Sequence, residues 1–287
     1  MKTLIFTDFD GVLTLPEGKV NKETFTNRYK AIILTGRDEA AIEQTFDDSK
    51  LWNYTDGFCA HHPCNYGYGS LITFSGADIS HNEEGIHIHR HYRITPPTID
   101  TRKIHGLLAI SFLSSQYGYA FRDSQCSPYY SLDNICFLKD KSIRDKIDNY
   151  YKPCYDSYSK YKELVNSIPP VFQVMIDSLK PFDTTEYKKN YYVEQFPADG
   201  VWVTNIRHKS ATKQKAIQYL LAVTESDRAI HIGDNVNDIM TGDDRIQVYA
   251  VNNACDALKN TSDVIILDST SEGNPIKEAI EREKNNG

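Results

Sequence analysis

Apolar positions along this chain fall into short runs that stop at acidic or glycine-containing turns. Thr3–Thr7 has an apolar centre, Leu4, Ile5 and Phe6, and ends at Asp8, which predicts a buried strand. Ala31–Thr35 repeats the pattern and stops at Gly36. Between them Asn21–Tyr29 predicts a short helix with Asn21 as its N-cap, and Asp38–Phe46 predicts a second helix capped by Asp38. Strand, helix, strand, helix is the opening of a parallel α/β sheet. The C-terminal third has the same rhythm. Ala211–Val223 predicts a helix with Ala216, Ile217, Leu220 and Leu221 on one face, and Ala229–Ile232 a strand ending at Gly233. Val236–Thr241 predicts the start of a helix, Gln247–Val251 a strand, Ala254–Asn260 a helix, Asp263–Leu267 a strand and Pro275–Lys284 a last helix. Together they predict a Rossmann-like, doubly wound parallel sheet, with its ligand site beyond the carboxyl ends of the strands.

The middle of the chain breaks this rhythm. Alternating runs, Gly85–Arg93 and Val171–Ile176, predict strands, and Thr98–Ser115 predicts a long apolar helix. Tyr150, Tyr151, Tyr155, Tyr158 and Tyr161 fall near helical spacing and predict an amphipathic helix packed by aromatic rings. The expected organisation is α/β, with a core built from residues 1–76 and 206–287 and an inserted α+β domain at 77–205. The tyrosines concentrate in that insert, which holds 13 of the 19.

Composition narrows the picture. Hydrophobic residues are 40% and charged residues 25%, enough for a sizeable core and against global disorder. The formal net charge of −7 argues against nucleic acid as a partner, because phosphate backbones are bound by clustered positive charge. No run approaches the roughly 18 apolar residues of a membrane span. The N-terminal apolar run meets Asp8 too early for a secretory signal, so a cytoplasmic setting is expected, with the six cysteines as free thiols. Oligomeric state is left open.

The predicted strand ends carry the chemistry. The first strand runs into Asp8-Phe9-Asp10-Gly11, the second into Thr35-Gly36, and the strand at Ala229–Ile232 into Gly233-Asp234-Asn235-Val236-Asn237-Asp238; Lys213 opens the preceding helix. Two carboxylates two residues apart on a chain leaving a strand can enter one crevice. Asp8 is placed to attack phosphorus, and Asp10 to protonate the leaving oxygen and then activate water. Clustered carboxylates repel each other and a phosphate, so a cation is required, and Mg2+ suits oxygen ligands and retained waters. Asp234 is the natural further ligand. Lys213 would offset charge on Asp8 and the phosphoryl oxygens, while Thr35 and the amides near Gly36 and Gly11 would hydrogen-bond those oxygens.

These four segments, in this order, resemble the haloacid dehalogenase superfamily. Asp8-Phe9-Asp10-Gly11-Val12-Leu13 is similar to its first motif, Thr35 to its second, Lys213 to its third and Gly233–Asp238 to its fourth. The large insert between motifs two and three is similar to the Cof-like branch, which includes sucrose-phosphate phosphatases. Leu71–Ile79 resembles that branch's strand into the cap, with Ser75 where Asn is usual, and Asn252-Asn253-Ala254 resembles its segment after motif four. The resemblance implies that Asp8 is the nucleophile and Asp10 the acid/base. It implies that Asp8, the Asp10 carbonyl and Asp234 hold Mg2+, that Asp238 supports the metal through its waters, and that Asn237 lies near the phosphate. The substrate it implies is a small phosphorylated metabolite, a sugar phosphate first among them, selected by the insert as a cap. A phosphoprotein phosphatase, a phosphosugar mutase and a non-catalytic phospho-ligand-binding protein stay open as alternatives.

Three further groups stand out along the chain. Cys59, His61, His62 and Cys64 are zinc-type ligands, but so tightly spaced that a packed loop is the expectation. His87, His89 and His91 alternate and would share one face of a strand, with Arg93 on the same face and Arg90 on the other. For the third motif Lys209 and Lys215 compete with Lys213, which the spacing to Ala216 and Leu220 favours.

Overall fold

The computed structural model describes residues 2–21, 24, 31–37, 42, 45, 70–73, 78–83, 86–113, 134–138, 151–154, 165–166, 168, 170–198 and 200–286. The chain divides into two compact units: Met1–Arg90 with Thr212–Gly287, and His91–Ala211.

The first unit is built on an eight-stranded sheet. In chain order its strands are β1 (Thr3–Thr7), β2 (Ile32–Leu34), β3 (Ser70–Thr73), β4 (Asp78–Glu83), β5 (Ile86–His91), β12 (Arg228–Gly233), β13 (Ile246–Ala250) and β14 (Ile265–Ile266). Their order across the sheet is β14-β13-β12-β1-β2-β3-β4-β5. β1 pairs in parallel with β12, Thr3 opposite Arg228 and Thr7 opposite Ile232, and on its other side with β2. β13 and β14 continue the parallel set on one flank and β3 on the other. The central strands read as nearly unbroken apolar runs because both faces are covered: Phe6, Ile33, Leu34, Ala229 and Ile232 are all buried. β4 pairs antiparallel with β3, and β5 follows at the sheet edge. This pairing carries the first unit to Arg90, past Gly76, where the hydrophobic pattern drew the boundary.

The helix Lys213–Val223 follows its amphipathic pattern. The Thr212 side chain accepts a hydrogen bond from the Lys215 N–H at its start, and Ala216, Ile217, Leu220 and Leu221 are buried. Burial of Ile217, Leu220 and Leu221 stabilises the helix by ~1.5–3 kcal/mol each. The terminal helix Pro275–Asn286 is tied to the sheet through Glu283, which meets Arg228 of β12 and the Tyr249 hydroxyl of β13, each at 2.7 Å. Val236–Thr241 corrects one expectation. Only Val236–Asp238 is helical, a single 3-10 turn whose start is capped by the Asn235 and Asp238 side chains and which ends where Ile239 takes an extended backbone, ψ 117°. In the two early helical segments, Asn21 Oδ1 accepts from the Thr24 N–H at 3.4 Å, and Ile42 and Thr45 are helical and buried; Asp38 lies outside the described residues.

The second unit holds a six-stranded sheet, ordered β10-β11-β9-β6-β7-β8. These strands are β6 (Leu107–Leu113), β7 (Asn134–Leu138), β8 (Tyr151–Cys154), β9 (Gln173–Ser178), β10 (Tyr192–Ala198) and β11 (Val201–Arg207). The expected helix Thr98–Ser115 is therefore wrong. Its apolar heart, Leu-Leu-Ala-Ile-Ser-Phe-Leu, is a strand paired antiparallel with both β7 and β9 and buried at all seven positions. An apolar run without periodicity suits a strand covered on both faces as well as it suits a buried helix. Gly106, at φ 70°, turns the chain ahead of the strand. The expected tyrosine helix fails at Tyr151–Cys154, which is β8 beside β7. There the near-helical spacing meets an edge strand, Tyr-Lys-Pro-Cys, whose proline cannot sit in a helix interior. Tyr150, Tyr155, Tyr158 and Tyr161, and the group Cys59, His61, His62 and Cys64, lie outside the described residues.

The two faces of this second sheet differ. Ile110, Phe112, Val174, Ile176 and Ile206 share one face and form a core with Val165, Ile168 and Tyr187. Alternation places Ser111, Gln173, Met175, Asp177, Glu194, Asn205 and Arg207 on the other. On that face Arg207 is fully buried and ion-paired with Glu194, and Gln173 donates to Asn205 at 3.0 Å. Burial pushes the Asp177 carboxyl up to about 6. His91 and Arg93 both meet the Phe172 ring, His91 at 5.8 Å between ring centroids and Arg93 with its guanidinium 4.4 Å from the centroid. In the first unit, Arg90 lies over the Tyr219 ring at 4.2 Å. Among the described residues no helix is long and apolar enough to cross a membrane.

Candidate active site

The strand order brings distant segments together. β1 lies between β2 and β12, so the chain leaves the sheet at Asp8, Thr35 and Asp234 on adjacent strands and at the same carboxyl edge. Asp8 is 5% exposed; its N–H donates to the Ile232 carbonyl at 2.8 Å, and its Oδ1 accepts from the Phe9 N–H at 2.7 Å. Lys213, 2% exposed, sets its Nζ 2.6 Å from Asp8 Oδ2 and 2.6 Å from Asp238 Oδ1. Of the competing lysines, Lys209 bonds the Lys189 carbonyl within the second unit, and Lys215 is exposed.

Asp238 accepts four hydrogen bonds. Oδ1 takes Lys213 and His231 Nε2, the latter at 2.7 Å; Oδ2 takes the N–H groups of Asp234 and Asn235 at 3.0 and 3.1 Å. Four donors use the acceptor capacity of a carboxylate. Burial lowers the His231 pKa, so its imidazole is neutral and donates from Nε2, while its buried Nδ1 has no partner. Burial works against the Asp238 anion, but Lys213 and His231 outweigh it and hold the carboxyl well below its usual range. Lys213 is correspondingly held charged by Asp238 and Asp8 in spite of its burial.

The other two carboxylates of the cluster behave oppositely. Burial pushes Asp8 well above its usual range against the pull of Lys213, and Asp238 and Asp234 add to the push. Burial, then Asp238, pushes Asp234 up to about 7. Oxygens of Asp8, Asp234 and Asp238 lie within 4.8 Å of one another. The cluster carries more negative charge than Lys213 offsets, and with Asp238 engaged by its four donors the carboxylates of Asp8 and Asp234 are the oxygens that suit a hard divalent cation. Two glycines make room for it. A Cβ on Gly11, which sits at φ 68°, would lie 2.1 Å from Asp234 Oδ2, and one on Gly233 would lie 2.3 Å from Asp238 Cγ.

The remaining predicted residues are placed differently. Asp10 is 46% exposed at its side chain and gripped by Arg37, Nε to Oδ2 at 2.8 Å and Nη2 to Oδ1 at 2.7 Å. Thr35 is buried, and its Oγ1 accepts from the Arg37 N–H at 3.1 Å. Gly36 stands between them, half-buried. Asn237 has a buried Oδ1 with no partner. Arg37 and His231 carried no role in the sequence reading. A signal existed for each: Arg37 directly follows Thr35-Gly36, and His231 is a polar ring among the apolar, buried positions Ala229, Ile230 and Ile232 of its strand.

A parallel sheet with an acid-rich crevice at its carboxyl edge is the architecture of an α/β enzyme. A model of the haloacid dehalogenase-like hydrolases matches residues 5–280, and the chain belongs to that family. Comparison with curated protein sequences finds no match. Among solved structures, a HAD/COF-like hydrolase from Plasmodium vivax is similar at a TM-score of 0.63 and 17% identity, covering 99% of this chain and 96% of the other. A HAD phosphatase from Bacteroides thetaiotaomicron has a TM-score of 0.59 and 15% identity over 98% and 95%. A sugar phosphatase of HAD subclass IIB has 0.59 and 17% over 100% and 99%. At these identities the likeness is one of fold.

Proposed function

We propose that this protein is a magnesium-dependent phosphatase that hydrolyses a small phosphorylated metabolite through an aspartyl-phosphate on Asp8. The observation that carries the reading is the convergence of Asp8, Lys213, Asp234 and Asp238 at the carboxyl edge of β1 and β12. Asp8 Oδ attacks phosphorus while the bond to the leaving oxygen breaks, and Asp10 gives that oxygen a proton. Water then attacks the phosphoryl group, Asp10 takes its proton, and the acyl-phosphate bond breaks to return the Asp8 carboxylate and free phosphate. Lys213 pulls the Asp8 carboxyl toward its ionised form, against the effect of burial, and faces charge developing on the phosphoryl oxygens. Thr35 and the amides around Gly11 and Gly36 donate to the same oxygens, with Asn237 beside them. Asp8, the Asp10 carbonyl and Asp234 would hold Mg2+, which supplies charge neutralisation for substrate and carboxylates. Asp238, its acceptors engaged, acts by fixing Lys213 and the Asp234 loop.

The second unit is proposed to select the organic part of the substrate. The likeness in fold to a sugar phosphatase of HAD subclass IIB, over nearly the full length of both chains, supports a sugar phosphate. The test is phosphate release from a panel of phosphorylated metabolites and phosphopeptides. Turnover should require Mg2+, stop in excess chelator, and vanish in Asp8→Asn while the fold is retained. Turnover by Asp8→Asn removes Asp8 as nucleophile. Turnover of phosphopeptides alone moves the reading to a phosphoprotein phosphatase.

A further inference from the structure

We propose that Arg37 is a positioning residue for Asp10, a fork that sets the orientation of the acid/base carboxyl at the mouth of the site; this rests on the reading of Asp10 as that acid/base. Asp10 lies beyond the end of β1 and Arg37 beyond the end of β2, so the pair bridges two adjacent strand exits. Both carboxylate oxygens are engaged by separate guanidinium nitrogens, which fixes the plane of the carboxyl as a single lysine contact cannot. Arg37 is itself anchored on the rest of its length. Its N–H is held by Thr35 Oγ1 at 3.1 Å, its Nη1 donates to buried Thr45 Oγ1 at 3.2 Å, and its guanidinium lies 5.7 Å from the centroid of the Phe9 ring. Thr35 thus serves two neighbours, the proposed phosphoryl group and the backbone that aims Arg37. The pair is 36% and 46% exposed at its side chains. Ion pairs that exposed add little to stability, so the consequence of the fork is orientation rather than folding.

The experiment separates proton transfer from everything else by the leaving group. First-turnover release is measured for p-nitrophenyl phosphate, whose leaving group departs without a proton, and for phenyl phosphate, whose leaving group benefits from one. It is done in the wild type, Arg37→Met, Arg37→Lys, Asp10→Asn and the double variant Arg37→Met/Asp10→Asn. Arg37→Met is expected to slow phenyl phosphate by roughly tenfold or more and p-nitrophenyl phosphate by less than about threefold, with KM for both little changed. Arg37→Lys should recover only part of the loss. In the double variant Arg37→Met should add no further selective loss, because its effect runs through Asp10. Equal slowing of the two esters, a rise in KM without selectivity, or a full selective loss added on top of Asp10→Asn each overturns the role of Arg37. Absence of leaving-group selectivity in Asp10→Asn itself removes the acid/base reading, and the inference with it. Melting curves guard against misfolding; if Arg37→Met does not fold, the comparison is made with Arg37→Lys alone.

Discussion

Replacing Lys213 with Met removes one positive charge and leaves the aliphatic stem close to its original volume. The stem stays packed, so the loss is electrostatic. In the native site that ammonium lies 2.6 Å from two buried carboxylates, Asp8 and Asp238. Asp238 keeps three of its donors in the variant, whereas Asp8 keeps only the Phe9 N–H among those seen here. Removing one partner of a buried pair costs about 3–5 kcal/mol, because the other charge is left without compensation. Against a total stability of roughly 5–15 kcal/mol that is a large fraction. For a domain of roughly 150–250 residues it lowers the melting temperature by about 6–20 °C. Calorimetry or a circular dichroism melt in metal-free buffer reads the effect directly. Adding Asp8→Asn to Lys213→Met should restore part of the loss, roughly 1–3 kcal/mol, because the two sites couple. A loss below about 1 kcal/mol, with nothing restored by the second substitution, would show that the cluster is solvated and that its charges do not compete as described.

Gly11→Ala places a Cβ 2.1 Å from Asp234 Oδ2 at a backbone φ of 68°; the apparent Mg2+ requirement for turnover should rise by about tenfold or more, read from a metal titration of activity. The Asp234 carboxyl is raised to about 7, so the folded state binds the extra proton between that value and the unfolded carboxyl range. Without divalent metal, stability should therefore rise as pH falls from about 8 to about 5. Asp8, raised well above its usual range, and Asp177, raised to about 6, contribute with the same sign, so Asp234→Asn should diminish the rise rather than abolish it. The depressed Asp238 opposes this only near and below the unfolded carboxyl pKa, where its stabilisation is lost. In the second unit Phe112→Ala empties a fully buried position of the central strand and should cost about 3–5 kcal/mol in a denaturant titration.

The parallel core was legible because its strands are short apolar runs cut by acidic or glycine turns. Thr3–Thr7 was bounded as the structure has it, and the buried face of the helix Lys213–Val223 followed from spacing alone. Lys213 could be chosen over Lys209 and Lys215 because its register with Ala216 and Leu220 points it inward. The insert was harder for a physical reason. Leu107–Leu113 is buried on both faces, so its sequence lacks the alternation that marks a half-exposed strand, and it read as a helix. Val236–Thr241 misled in another way: its start is capped as a helix would be, but the backbone turns extended at Ile239 after a single turn. The Arg37–Asp10 pair was invisible for want of tertiary information, since neither residue names its partner in the sequence.

The central position of β1 has a consequence for biosynthesis. Its partner β12 lies about 225 residues further along the chain, the separation of the Lys2–Asp227 contact that closes their shared end. At a ribosomal rate of roughly 5–20 residues per second, the nascent Thr3–Thr7 segment waits about 10–45 s with one edge unpaired. An apolar strand with an open edge is a template for pairing with other chains. Until residues 228–233 emerge, the polypeptide carries Asp8 without Asp234 and Asp238 beside it. By the strand order, the acidic cluster is assembled only once nearly the whole chain has been made.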